Sequence, residues 1–243
     1  MMNSPGVPFP ATLILGAVLF AAALQGCATT GRHQPDALTD ERDDVMVPST
    51  GPRGGFCCDM VDGIPAQQAL ALTAAGLLGR SQIEIRGQRF TSDCSGLARG
   101  VYVTQGIDLY SGLGKLEGGN GVGRIFGHVF QHGTIHYGPT VHPGDLVFFH
   151  NTWDFNGDGR PNDPLTHVGV VERVERDGTV VFVSWVTTGI ERFHMNLMMP
   201  DTHRAGDGHV LNDFMRRKEY GDSKAVRYLT GQLFAAFGTL IGR

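Results

Sequence analysis

Apolar and polar positions change rhythm about halfway along this chain. In the first half of the body, IPAQQALALTAAGLL (Ile64–Leu78) repeats alanine and leucine at helical spacing and stops at Gly79, which predicts a helix. A second helix is predicted from SDCSGLARGVY, where Leu97, Gly100 and Val101 share one face, Ser92 and Asp93 precede it as caps, and Gly106 ends it. Residues 119–133, GNGVGRIFGHVFQHG, read ambiguously as a short helix interrupted by glycine. From Asp145 onward the runs DLVFFH, HVGVVERV, TVVFVSWV and GIERFHM are β-rich and separated by turn residues such as Asp177-Gly178, which predicts an antiparallel meander. The tail KAVRYLTGQLFAAFGTL (Lys224–Leu240) reads as an amphipathic helix. The class that follows is α+β, with N-terminal helices packed on an antiparallel sheet.

Composition narrows the function. The chain has 243 residues, 41% of them hydrophobic, which supports one cored domain with extensions. A net charge of −4 without a basic patch excludes nucleic acid as a natural partner. The 35 glycines favour many turns over a helical bundle. Ahead of the body, residues 11–24 form an apolar run with the length of an export-signal core, followed by LQGC, Leu24 to Cys27. This resembles the lipobox of bacterial lipoproteins, although no Lys or Arg precedes the run. The resemblance implies a signal peptide over 1–27, lipidation of Cys27, and a membrane-attached body at the periplasmic face of the outer membrane. An uncleaved anchor helix is the alternative. Residues 28–54 are polar and aperiodic and read as a flexible linker, leaving 55–243 as the domain with a C-terminal helical extension.

With Cys27 lipidated, Cys57, Cys58 and Cys94 remain, an odd number for an oxidising compartment. Cys57 and Cys58 could pair with each other, or one could pair with Cys94. A zinc site lacks a histidine at ligand spacing. Cys94 sits in the first turn of its predicted helix, where the helix N-terminus favours thiolate. Its alternative is a small buried core residue. What separates the two readings is a base, and His167, heading the strand HVGVVERV, is the best-placed histidine of ten.

Three segments in this order, DCSGLARGVYVTQGIDL, HPGDLVFF and LTHVGVVERV, resemble the NlpC-type and CHAP peptidases, papain-like enzymes that cut bacterial cell-wall peptides. The resemblance covers roughly residues 57–196. It implies a papain-like fold, Cys94 as nucleophile and His167 as general base, with peptidoglycan peptide as substrate. The third catalytic position, on the next strand, falls on Ser184, where the family usually places His, Asn, Gln or an acid. Phe90 stands where the NlpC branch carries a tyrosine.

Between the two motifs lies DFNGDGRPND. Asp154, Asn156, Asp158, Asn162 and Asp163 supply oxygens, and Gly159 follows the third of them, as in the opening of an EF-hand-type calcium loop. Leu165 replaces the bidentate glutamate of the twelfth position, so two readings stand: an independent calcium loop, or an acidic turn. The resulting expectation is a lipid-anchored cysteine hydrolase of peptidoglycan with calcium as a structural ion. The competing expectation is a catalytically weak wall-binding lipoprotein of the same fold.

Overall fold

A computed structural model describes residues 63–112, 120–138 and 140–242. The expected signal peptide with Cys27, the expected linker, and Cys57 and Cys58 lie outside the described residues. Among those described, no helix is long and apolar enough to cross a membrane.

Helix α1 spans Pro65–Ala75. Proline at its first position has no N–H to lose there, and Gln67 Oε1 accepts the Ile64 N–H at 3.0 Å. The chain then closes two turns and leaves through Gly79 at φ 77°. Strands β1 (Ile83–Ile85) and β2 (Gln88–Phe90) form a hairpin whose two turn residues, Arg86 and Gly87, both have positive φ (51° and 76°). That geometry matches the right-handed twist of the strands. Helix α2 runs Cys94–Val103 and α3 runs Gly121–His132. The ambiguous glycine-bearing stretch is therefore a helix of 12 residues, started by the Asn120 side chain accepting the Gly123 N–H at 2.7 Å.

Strands β3 (Thr134–His136), β4 (Leu146–Phe149), β5 (His167–Val174), β6 (Val180–Val186) and β7 (Gly189–Met195) follow, with α4 (Thr230–Leu233) and β8 (Phe234–Thr239) at the end. They build one antiparallel sheet ordered β3-β8-β4-β5-β6-β7, in which β4 to β7 form the expected meander. Alternation along β4 splits the core. Leu146 and Phe148 face the helices with Leu97, Val101, Ile125 and Val129. Val147 and Phe149 face the other way, onto Phe182, Phe193, Leu233 and Phe237.

The C-terminal helix expected over 224–240 is corrected. Only one turn is helical, and Phe234–Thr239 is a strand lying between β3 and β4. Phe-Ala-Ala-Phe suits either period. A vacant place in the sheet decides, because β8 gains ladder hydrogen bonds on both sides and buries Ala236 and Phe237. Gly238 is required there, since a Cβ would stand 2.9 Å from Val129 Cγ1.

Candidate active site

The N-terminus of α2 is built around Asp93. Its carboxylate accepts the Gly96 N–H at 2.6 Å and the Ser95 hydroxyl at 2.7 Å, so Cys94 becomes the first helical residue. The preceding chain passes so close that a Cβ on Gly96 would lie 2.0 Å from the Thr91 carbonyl oxygen. Gly96→Ala is accordingly expected to cost at least about 3 kcal/mol, seen as a lowered melting temperature. Ser95 also accepts the Tyr110 hydroxyl at 3.2 Å. The Tyr110 ring is held between the guanidinium groups of Arg99 and Arg124, at 3.9 and 4.0 Å.

Cys94 is a free thiol, half-buried against the helix-side core. Burial pushes its pKa up to about 11, against the pull of backbone N–H groups led by that of Val168. The sulfur therefore meets β5 one residue beyond His167, and both side chains line one cleft of about 580 Å3. Burial also lowers the His167 pKa to about 4. The resting pair is a neutral thiol beside a neutral imidazole.

Ser184, fully buried on β6, lies 2.7 Å from His167 Nε2. Its hydroxyl also donates to the Val168 carbonyl at 2.7 Å. A hydroxyl has one proton, and a carbonyl can only accept. With its proton on Val168, Ser184 must accept from His167, which places the imidazole proton on Nε2 and leaves Nδ1 with a free lone pair. Ser184 thus fixes the tautomer that a base needs. Removing it in Ser184→Ala should lower kcat about 10- to 100-fold with little change in KM, measured on any substrate the wild type cleaves.

Asn120, Val122, Trp153, Trp185, Met215 and Arg217 complete the cleft. They come from four separate places in the chain and carry no shared sequence motif. Trp185, next to Ser184 in β6, was the one with a positional signal. Met215 and Arg217 come from the segment after β7, and Arg217 also lines an adjoining hollow with Lys218 and Tyr228.

The loop between β4 and β5 holds the five expected ion ligands. Asp154 accepts the N–H groups of Gly157, Asp158 and Gly159 at 2.8, 3.2 and 2.8 Å. Asp158 accepts the Arg160 N–H at 2.9 Å and the Asn162 amide at 2.8 Å. The Asn156 amide donates to Asn162 Oδ1 at 3.2 Å, and Asp163 Oδ1 accepts the Asn156 N–H at 3.2 Å. Among the described residues no three His, Cys, Asp or Glu side chains draw together tightly enough to hold a metal.

No family model, curated protein or solved structure matches the chain.

Proposed function

We propose that this chain is a cysteine hydrolase of the papain-like NlpC/CHAP type, cutting an amide or peptide bond in peptidoglycan peptides from a lipid anchor at Cys27 on the periplasmic face of the outer membrane. The observation that carries it is the hydrogen-bond pair of Ser184, which leaves His167 Nδ1 free in the cleft that contains the Cys94 thiol. Such a pair needs no resting ion pair. As the Cys94 sulfur closes on the substrate carbonyl carbon, its proton passes to Nδ1. The carbonyl oxygen takes the negative charge, and the first-turn N–H groups of Cys94 and Ser95 would stabilise it as donors at a helix N-terminus. The C–N bond then breaks, with the Nδ1 proton going to the departing amine. Water gives a proton to Nδ1, attacks the thioester and releases a carboxylic acid while the proton returns to sulfur. Around this centre Trp153, Trp185 and Met215 form an apolar wall, and Arg217 supplies a cation suited to the carboxylates that wall peptides carry.

The test is digestion of purified peptidoglycan with the full-length chain, followed by mass analysis of fragments. One new amine and one new carboxyl end per cut, absent with Cys94→Ala, is the expected result. Intact sacculi would sink the reading. The thiol pKa of about 11 favours the second reading, a wall-binding lipoprotein with weak chemistry. It predicts co-sedimentation with sacculi that stay uncut.

A further inference from the structure

We propose that the catalytic cleft continues into the hollow beside it, and that Arg217, where the two meet, makes the site select peptides carrying a free carboxylate. That role rests on the cysteine-hydrolase reading of the cleft and names the substrate feature the cleft recognises. The observation that points to it is a guanidinium without a partner. Arg217 is exposed, lines both the cleft and the hollow, and makes no hydrogen bond or ion pair with any described residue. An unpaired arginine on an open face would be ordinary. This one stands between two concave surfaces, one of which holds Cys94 and His167.

The hollow measures about 640 Å3 and shares Val186, Thr187, Met215 and Arg217 with the cleft. Each alone has the size that encloses a small ligand, about 300–1,000 Å3, so a ligand occupying both is elongated, as a peptide is. Phe193 and Phe214 give the hollow an apolar wall. Its charged lining is Arg216, Arg217 and Lys218 against one carboxylate, Glu191. These cations are not equivalent. Arg216 is 6% exposed, donates to the Asn151 carbonyl at 2.8 Å and lies 3.8 Å from Asp222. Asp222 also accepts the Tyr228 hydroxyl at 3.0 Å and stands within the field of Lys218. Glu191 accepts the Thr188 hydroxyl. Of the three cations, Arg217 alone is left to meet a ligand, and its planar fork fits a carboxylate through two parallel hydrogen bonds.

The chain holds this arginine in place without using it. The Met215 N–H donates to the Tyr228 carbonyl at 2.9 Å, Phe214 bridges to Leu229, and the Asp213 N–H donates to the His194 carbonyl at 3.1 Å. Together with the bond from Arg216 to Asn151, these fasten residues 213–216 to β7, to residues 228–229 and to the β4–β5 connection. Arg217 follows directly from that fixed backbone. The segment lies after β7, beyond the stretch of roughly 57–196 that carries the peptidase resemblance. The carboxylate selection is therefore a feature of this chain's own added segment.

Binding is measured with the full-length Cys94→Ala protein, which should hold a peptide without cutting it, by calorimetry and by the fluorescence of Trp153 and Trp185, both in the cleft. The probe is the peptidoglycan stem tetrapeptide with free carboxylates. The comparison peptides carry either its terminal or its side-chain carboxylate as an amide. One of the two amides should bind about tenfold more weakly than the free acid, and which one tells whether the recognised group is terminal or side-chain. Added Arg217→Ala should remove that preference, and Arg217→Lys, which keeps the charge but not the fork, should retain only part of it. Both variants should melt as their parent does, because Arg217 makes no bond within the described chain. Added salt should erode the preference. In the active enzyme Arg217→Ala should act through KM rather than kcat. Equal affinity for acid and amides, no binding of any of the three, or a preference that survives in Arg217→Ala overturns the carboxylate site. Cleavage without such a preference also refutes it and leaves the hydrolase reading standing. A preference in a protein that leaves sacculi intact supports the carboxylate site and refutes the hydrolase reading.

Discussion

Cys94→Ala should abolish hydrolysis, with kcat falling on the order of 10^4- to 10^6-fold, while the domain still folds. The two parts of that expectation have different causes. The thiol is the strongest nucleophile in the cleft, and the hydroxyls that share the lining, such as Ser95 and Thr166, are already hydrogen-bonded and far harder to deprotonate. Its contribution to packing is small by contrast. Alanine fills most of the volume, Asp93 continues to cap α2 through Gly96, and Ser95 keeps its bonds to Asp93 and Tyr110. A melting temperature within a few degrees of wild type would show that the loss is chemical. Cys94→Ser is the sharper control, because it keeps a nucleophile of similar shape whose proton is much harder to remove. It should be almost as inactive. Full activity in either variant would remove Cys94 from the mechanism and return it to the class of small buried core residues.

The first two helices and the meander were legible because their apolar positions repeat with the right period and are bounded by Gly79, Gly106 and Asp177-Gly178. What escaped lay where period and propensity are silent. Phe-Ala-Ala-Phe in the tail satisfies both a helix and a half-buried strand, and only the vacant place between β3 and β4 selects the strand. The β1–β2 hairpin rests on two residues with positive φ, one of which is Arg86, a residue type that gives no turn signal. At the site, Cys94 and His167 stood out by their positions at the start of a helix and of a strand. Ser184 could be placed but not understood from sequence. Its role depends on where the Val168 carbonyl lies, and that is set by the pairing of β5 with β6. Trp153, Met215 and Arg217 reach the cleft only through tertiary folding, as does Asn120, which also caps α3. The oxygen-rich loop was visible as a pattern. In the fold, Asp154 and Asp158 spend their oxygens on N–H groups of the loop itself, which no spacing rule announces.

His167→Ala should lower kcat about 10^2- to 10^4-fold, and the wild-type pH profile should show why. Catalysis as described needs a neutral imidazole to take the thiol proton. Burial holds the His167 pKa at about 4 rather than the ordinary 6.5. The acid limb of kcat/KM should therefore fall near pH 4, with activity still full at pH 5.5, where an exposed histidine would be mostly protonated. On the alkaline side the thiol, raised to about 11, sets no limit below pH 9. The same shift acts on stability. Because the unfolded chain binds the His167 proton more readily than the folded one, stability is complete above pH 6.5 and declines as pH falls toward 4. The total is about 3 kcal/mol, from 2.5 pH units at 1.36 kcal/mol each. His167→Gln keeps a polar side chain without a titrating proton, so it should flatten that decline between pH 6.5 and 4 while remaining inactive. An acid limb near pH 6.5 in the wild type would mean that water reaches the imidazole freely. The neutral pair between α2 and β5 would then be the wrong description of the resting site.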